Sequence, residues 1–227
     1  MLEAEVKKRM AENDLTQQLA IRALAHIAEI RDSDTGDHLR RTQGYVNRLA
    51  LGLQHKPKFS ETLTERYVDL LSRSAPLHDI GKVGIPDSIL LKPGKFTPEE
   101  WDIMKTHSQL GSDAIARAEQ DVGVPLPFLA VAREIARWHH EKWDGSGYPD
   151  GLAGEAIPLC ARIMALADVF DALTSVRPYK TAMPYEKARD IIIADSGKHF
   201  DPDLVAVFVE NFDAFVAIGQ HYDSSGN

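Results

Sequence analysis

The chain is short of several features that would decide its class quickly. It has one cysteine, Cys160, among 227 residues, so it can close no disulfide within itself, and a reducing compartment is expected. That cysteine stands in "IPLCARIMALADVF" and reads as a small buried side chain. No apolar run approaches a membrane span of roughly 20 residues, and no signal-peptide pattern opens the sequence. Positive charge is in deficit: 26 Lys and Arg against 34 Asp and Glu, a net charge of −8. That balance argues against a nucleic-acid polymer or a membrane surface as partner, while a small anion held by local cations stays open. There is no internal repeat and no low-complexity tract, and the alternation expected of strands is scarce. The expectation is a soluble, cytoplasmic, all-α protein.

What is present supports that class. An apolar fraction of 44% can build one sizeable core. The first 31 residues hold no Gly or Pro, and Leu15, Leu19, Ala23, Ile27 and Ile30 share one helical face. Residues 1–14 are more charged and read as a connecting helix to an upstream domain, with the catalytic unit at 15–227. Helices are expected at about 37–55, 60–74, 97–118, 127–142 and 159–174, with Pro184 and Pro202 opening the last two. "TPEEW" is the clearest start signal: Thr97 as cap, Pro98 at the first position, Glu100 three after the cap. Loops are expected at 79–96, 143–158 and 175–183. With four glycines and two prolines, the 143–158 loop is expected to include a short hairpin.

Several polar residues stand where helices should be apolar. His78 and Asp79 follow a helical apolar run, and Lys82 comes four after His78. His107 and His139 keep the apolar register of their helices, His140 adjoins His139, and Asp168 interrupts "IMALADVFDAL". His38 opens a helix in "SDTGDHLRR". A lone buried histidine is usually part of a hydrogen-bonded core. Several inward-facing imidazoles and carboxylates together would cost several kcal/mol each if unpaired. They make a natural shell for a borderline transition metal. Two such metals can bind a hydroxide between them and clamp a phosphoryl group, with Lys82 as a point cation beside it.

In order, "HDIGKVGIPDSIL", "HSQLG", "ARWHHEKWDGSGYPDGL" and "RIMALADVFDALTSVRPYK" resemble the HD superfamily of metal-dependent phosphohydrolases, most closely its HD-GYP branch, over about residues 20–215. The resemblance implies an HD-domain helical bundle extended by the HD-GYP helices. It implies a phosphodiesterase of bacterial cyclic dinucleotides, cyclic di-GMP or the 3',3'-cyclic GMP–AMP ring, working through a metal-bridging hydroxide. By position, His38, His78, Asp79, His107, His139, His140 and Asp168 match the metal ligands, with Asp79 bridging. Asp79 and Lys82 match the catalytic pair, Lys82 on the scissile phosphate. Gly147, Tyr148 and Pro149 match the GYP loop, and Arg177 and Lys180 match the cations that hold the second phosphate or its guanine. The implied cofactors are two divalent transition metals, Fe or Mn ahead of Ni, Co or Zn. Three-metal members carry a glutamate where this chain has Asp34, whose arm is one methylene shorter, so two metals are expected. The implied partners are a sensor or receiver domain upstream, GGDEF-type cyclases and a second copy of the chain. Two other readings are a hydrolase of linear nucleotides or alarmones, and a catalytically weak module that binds cyclic dinucleotides or a partner. The long GYP loop and the "RPYK" cations disfavour the first, and the complete ligand set with Lys82 disfavours the second.

Overall fold

The computed structural model describes residues 2–30, 37–176 and 181–223. These residues form ten α-helices and no strand. In chain order they are α1 (Leu2–Ile30), α2 (His38–Gln54), α3 (Glu65–Ser74), α4 (Asp87–Leu90), α5 (Pro98–Val122), α6 (Pro127–Trp138), α7 (Leu159–Thr174), α8 (Tyr185–Ala194), α9 (Pro202–Glu210) and α10 (Phe212–Asp223). No helix among them is long and apolar enough to cross a membrane. Asp34, Arg177 and Lys180, all singled out from the sequence, lie outside the described residues.

The main core gathers α2, α3, α6, α7, α8, α9 and α10 around Tyr45, Phe170, Phe208 and Phe215. Tyr45 stacks on Phe215 at 5.0 Å and meets Phe170 edge-on at 5.1 Å. α7 explains why this bundle is central. "LCARIMALADVF" is apolar almost all round, and a helix with that pattern must be covered on every side. Leu159, Cys160, Ile163, Met164, Leu166, Ala167 and Phe170 are all buried. Cys160 is fully buried beside Glu134, as expected, and burial pushes its thiol up.

Local signals set several boundaries. Thr97 and Glu100 close a reciprocal capping box at the start of α5, and Gly123 in the left-handed region (φ 69°) ends it. Four expectations are corrected. α3 begins at Glu65 rather than near 60, because the Thr64 hydroxyl accepts from the Tyr67 N–H and fixes the start there. α6 ends at Trp138, so His139 to Lys142 leave the helix. α10 follows α9 after Asn211, whose side-chain amide donates to the Val207 carbonyl. The 143–158 segment forms no hairpin. Its backbone is held by other partners instead: Trp143 and Asp144 N–H donate to the His199 and Lys198 carbonyls, and Asp150 and Leu152 N–H donate to the buried Glu141 carboxylate.

α1 also buries a different face from the one its large side chains mark. Ile21, Ala25 and Ala28 are buried, whereas Leu15, Leu19 and Ile27 keep more than half of their surface exposed. The small alanines let the α1 backbone lie close over the Ala75–Gly84 segment, where Leu77 packs on Ile21.

Candidate metal centre

Five segments bring the polar residues together. His38 is the first residue of α2, and His78 and Asp79 lie between the two short 3-10 turns after α3. His107 is in mid-α5, His139 and His140 follow α6, and Asp168 is in α7. The turn carrying Asp79 must lie against the α5 backbone. A Cβ on Gly81 would collide with the His107 carbonyl and the Gly111 N–H. Glycine is therefore required in "HDIGK" for Asp79 to reach the α5 histidine.

The donors fall into two groups, each with ligand atoms within 4.8 Å of one another. One is Asp79, His107, His139 and His140. The other is His38, His78 and Asp168. Asp79 stands between them. Its Oδ1 lies 3.3 Å from His107 Nε2 and 3.5 Å from His139 Nε2. Its Oδ2 lies 3.3 Å from His78 Nε2 and 2.7 Å from Lys82 Nζ. Asp168 Oδ1 is 3.9 Å from both His38 Nε2 and His78 Nε2.

The imidazole tautomers follow from their other nitrogens. Nδ1 of His78 faces the Ala75 carbonyl at 3.0 Å, that of His107 the Met104 carbonyl at 2.7 Å, and that of His139 the Ile135 carbonyl at 2.9 Å. A carbonyl only accepts, so each Nδ1 carries the proton. Each Nε2 then turns a lone pair toward the Asp79 carboxylate, which is also an acceptor. His78 Nε2, His139 Nε2 and Asp79 Oδ1 are buried with no hydrogen-bond partner. Buried lone pairs aimed at one another are costly, and a cation between them removes the cost. Backbone carbonyls behind the ring N–H are also how metal-ligating histidines are usually oriented. The residues present therefore fit divalent metals.

The electrostatics agree. Burial opposes charge on Asp79, but Lys82 and His78 outweigh it and hold the carboxyl well below the usual carboxylate range. Burial, with His139 and His107 adding to it, pushes His140 well below the usual imidazole range, and burial also lowers His139. Both are neutral and ready to ligate. His78 moves the other way, to about 9: burial opposes the charge, but the carboxylates of Asp79 and Asp168 prevail, so the Nε2 lone pair facing Asp79 draws a cation, a proton or a metal, to itself. The centre attracts positive charge.

The GYP segment borders the same centre. The Tyr148 ring stacks on His140 at 4.7 Å between centroids. Gly147 lies so close to the preceding turn that a Cβ would clash with the Lys142 N–H, with Glu141 Cα at 2.5 Å and with the His140 carbonyl at 2.6 Å. Pro149 is exposed, and Asp150 after it accepts from Arg137 Nε at 2.7 Å and from Trp138 Nε1 at 2.7 Å. Lys82 and Tyr148 share an open cleft with Asp79, His107, His140 and Asp168. Of the remaining histidines, His26 pairs with Glu29 on α1, and His199 stacks on Phe200.

A second tier, unread in the sequence, lies behind these donors. Asp171 Oδ2 accepts from His38 Nδ1 at 2.8 Å, and Asp171 takes a two-pronged contact from Arg41, at 2.6 and 3.0 Å. Arg41 also donates to the Ser175 hydroxyl at 2.8 Å. The signal was present as "DVFD", two carboxylates one turn apart on an apolar helix. Glu141, buried behind the GYP segment, was likewise unread, and burial pushes its carboxyl up.

Known proteins share this arrangement of sequence. The chain is 55% identical over 207 residues to a cyclic di-GMP phosphodiesterase of Vibrio cholerae, covering 91% of this chain and 42% of that protein. It is 44% identical over 195 residues to a 3'3'-cGAMP-specific phosphodiesterase of the same organism, covering 86% and 35%. A solved cyclic GMP-AMP-specific phosphodiesterase from Vibrio cholerae shares the fold, with a TM-score of 0.61 at 21% identity over 88% of this chain and 50% of that one. The chain spans about half the length, or less, of the curated relatives it matches. The HD domain family model matches residues 22–204, a stretch that carries all seven metal-ligand candidates, and the chain belongs to the HD domain family.

Proposed function

We propose that this chain is an HD-GYP-type phosphodiesterase that opens a bacterial cyclic dinucleotide, cyclic di-GMP or 3',3'-cyclic GMP–AMP. One observation carries the reading: the two oxygens of Asp79 face two separate donor groups, in a chain 44–55% identical to proteins named for that activity. His107, His139 and His140 with Asp79 would hold one divalent metal. His38, His78 and Asp168, with Asp79 shared, would hold the other. Fe or Mn is favoured, with Ni, Co or Zn also suited to the donors. When bound, such metals supply Lewis-acid charge at a phosphoryl oxygen and lower the pKa of water.

The chain's own groups do the rest. Lys82 brings an ammonium to the Asp79 side of the cleft, where it neutralises a phosphate oxygen. Tyr148, seated on His140, walls the cleft and limits the approach of bulk solvent. Asp34 stands where three-metal members carry a glutamate and is one methylene shorter, so two metals are proposed rather than three. Residues 1–14 serve as a connector to a sensor or receiver domain. Their exposed flank on α1 supports this, as does the greater length of the relatives.

Anaerobically purified protein should hold close to two metals per chain and convert cyclic di-GMP to a linear product resolved by chromatography. Tight binding without turnover in Mn²⁺ and Fe²⁺ would favour the binding-module reading instead.

Arg177 and Lys180 are proposed to hold the second phosphate, which the metals cannot also serve. Replacing either should raise KM about tenfold or more and leave metal content unchanged, as expected for a lost charge-assisted contact of roughly 1.5–3 kcal/mol. Metal loss at constant KM would make them structural instead.

A further inference from the structure

Trp101 is the one of the three tryptophans whose indole N–H has no partner among the described residues and whose ring borders the metal centre. Trp138 donates its N–H to Asp150, and the Trp143 ring is covered by Arg162 at 5.7 Å. Trp101 keeps 44% of its surface exposed. It lies in the first turn of α5, where the Thr97–Glu100 capping box and the Lys92–Glu100 ion pair (2.5 Å) fix the backbone that carries it. Its ring stacks on Phe96 at 6.1 Å with 22° between planes, and meets the edge of Tyr148 at 6.2 Å and 82°. Phe96 is anchored in turn on the small core of Ile85, Ile89 and Met104. The cleft thus has a polar floor of Asp79, Lys82 and His140, and beside it an aromatic wall.

The geometry points to Trp101 as a platform for a purine base of the nucleotide whose phosphate lies at the centre. This rests on the proposed phosphodiesterase reading and goes beyond it, because it assigns a base-binding residue outside the GYP loop and the "RPYK" segment. An exposed indole held rigidly beside a phosphate-binding floor suits a flat heteroaromatic ring. Stacking is sequence-tolerant, since every base has a π-face, so the platform would accept guanine and adenine alike. Tyr148 is half-buried with one face against His140 at 4.7 Å, whereas Trp101 lies 6.1 Å from Phe96 and is exposed, which makes Trp101 the better surface.

Two non-hydrolysed probes separate base binding from phosphate binding: GMP and ribose 5-phosphate, titrated into the metal-loaded protein by calorimetry. Trp101→Leu should weaken GMP about 5- to 150-fold, the range for losing one base–aromatic stack. It should leave ribose 5-phosphate, metal content and melting temperature unchanged, and Trp101→Phe should restore most of the GMP affinity. Unchanged GMP affinity in Trp101→Leu overturns the inference. So does an equal loss for both probes, which would make Trp101 a structural support. If the wild type fails to hydrolyse cyclic dinucleotides yet still distinguishes GMP from ribose 5-phosphate through Trp101, the platform stands and the proposed activity falls.

Discussion

Asp79→Ala should reduce cyclic dinucleotide turnover to background and lower metal content below two per chain. Among the described residues, Asp79 is the carboxylate that reaches both donor groups, Oδ1 toward His107 and His139, Oδ2 toward His78 and Lys82. Without it the His107, His139 and His140 group keeps its imidazoles but loses its anion, and the His38 and His78 group is left with Asp168 alone. In the first group three Nε2 lone pairs are then gathered with no carboxylate to balance a bound cation. Lys82 also loses the oxygen that holds its ammonium 2.7 Å away, so the phosphate-side cation is displaced by the same substitution. The measurement is elemental analysis beside product chromatography on the same preparation. Full turnover by an Asp79→Ala protein with both metals bound would reject the shared-carboxylate mechanism. Lost turnover with both metals still bound would restrict Asp79 to positioning Lys82.

Much of this centre was legible because its residues break local rules. His107 and Asp168 occupy apolar helical positions, and His139 continues the apolar register of α6 one residue past its end, which a sequence exposes without any knowledge of partners. The Thr97 cap and the extent of α7 were read for the same reason, since capping boxes and all-round apolar helices are written within a few residues. What failed depended on distant parts of the chain. The buried face of α1 is chosen by what α1 packs on, and Ala25 and Ala28 win over Leu15 and Leu19 because close backbone approach matters more there than side-chain size. The 143–158 loop looked like a hairpin by its glycines, but its N–H groups found a buried glutamate and the His199 segment. Asp171 was passed over because its partners, His38 and Arg41, stand 133 and 130 residues away.

Asp171 is where the second large effect is expected. Asp171→Ala should destabilise the fold by about 3–5 kcal/mol, the usual cost of removing one member of a buried ion pair. The side chains of Asp171 and Arg41 are 1% and 6% exposed, so water cannot replace the lost carboxylate, and the guanidinium keeps its charge in a dry place. Against a typical total of about 5–15 kcal/mol, that is a large fraction of the stability. The gentler Asp171→Asn separates stability from function. It preserves shape but removes the anion that orients His38 through Nδ1, and losses of about 10- to 100-fold in metal affinity follow from such changes behind a ligand. Calorimetric metal titration of Asp171→Asn should therefore show one weakened site, the His38 group, and one unchanged. The pH dependence has a definite sign. Burial opposes charge on Asp171, but His38 and Arg41 outweigh it and hold its carboxyl below the usual range. A carboxyl depressed on folding contributes stability that is present above its unfolded value and lost as pH falls through the folded one. The wild type should thus lose stability on acidification more steeply than Asp171→Asn, as followed by urea unfolding at stepped pH. Parallel curves for the two proteins would mean that Asp171 is not the charged partner of Arg41, and the tier behind His38 would have to be assigned anew.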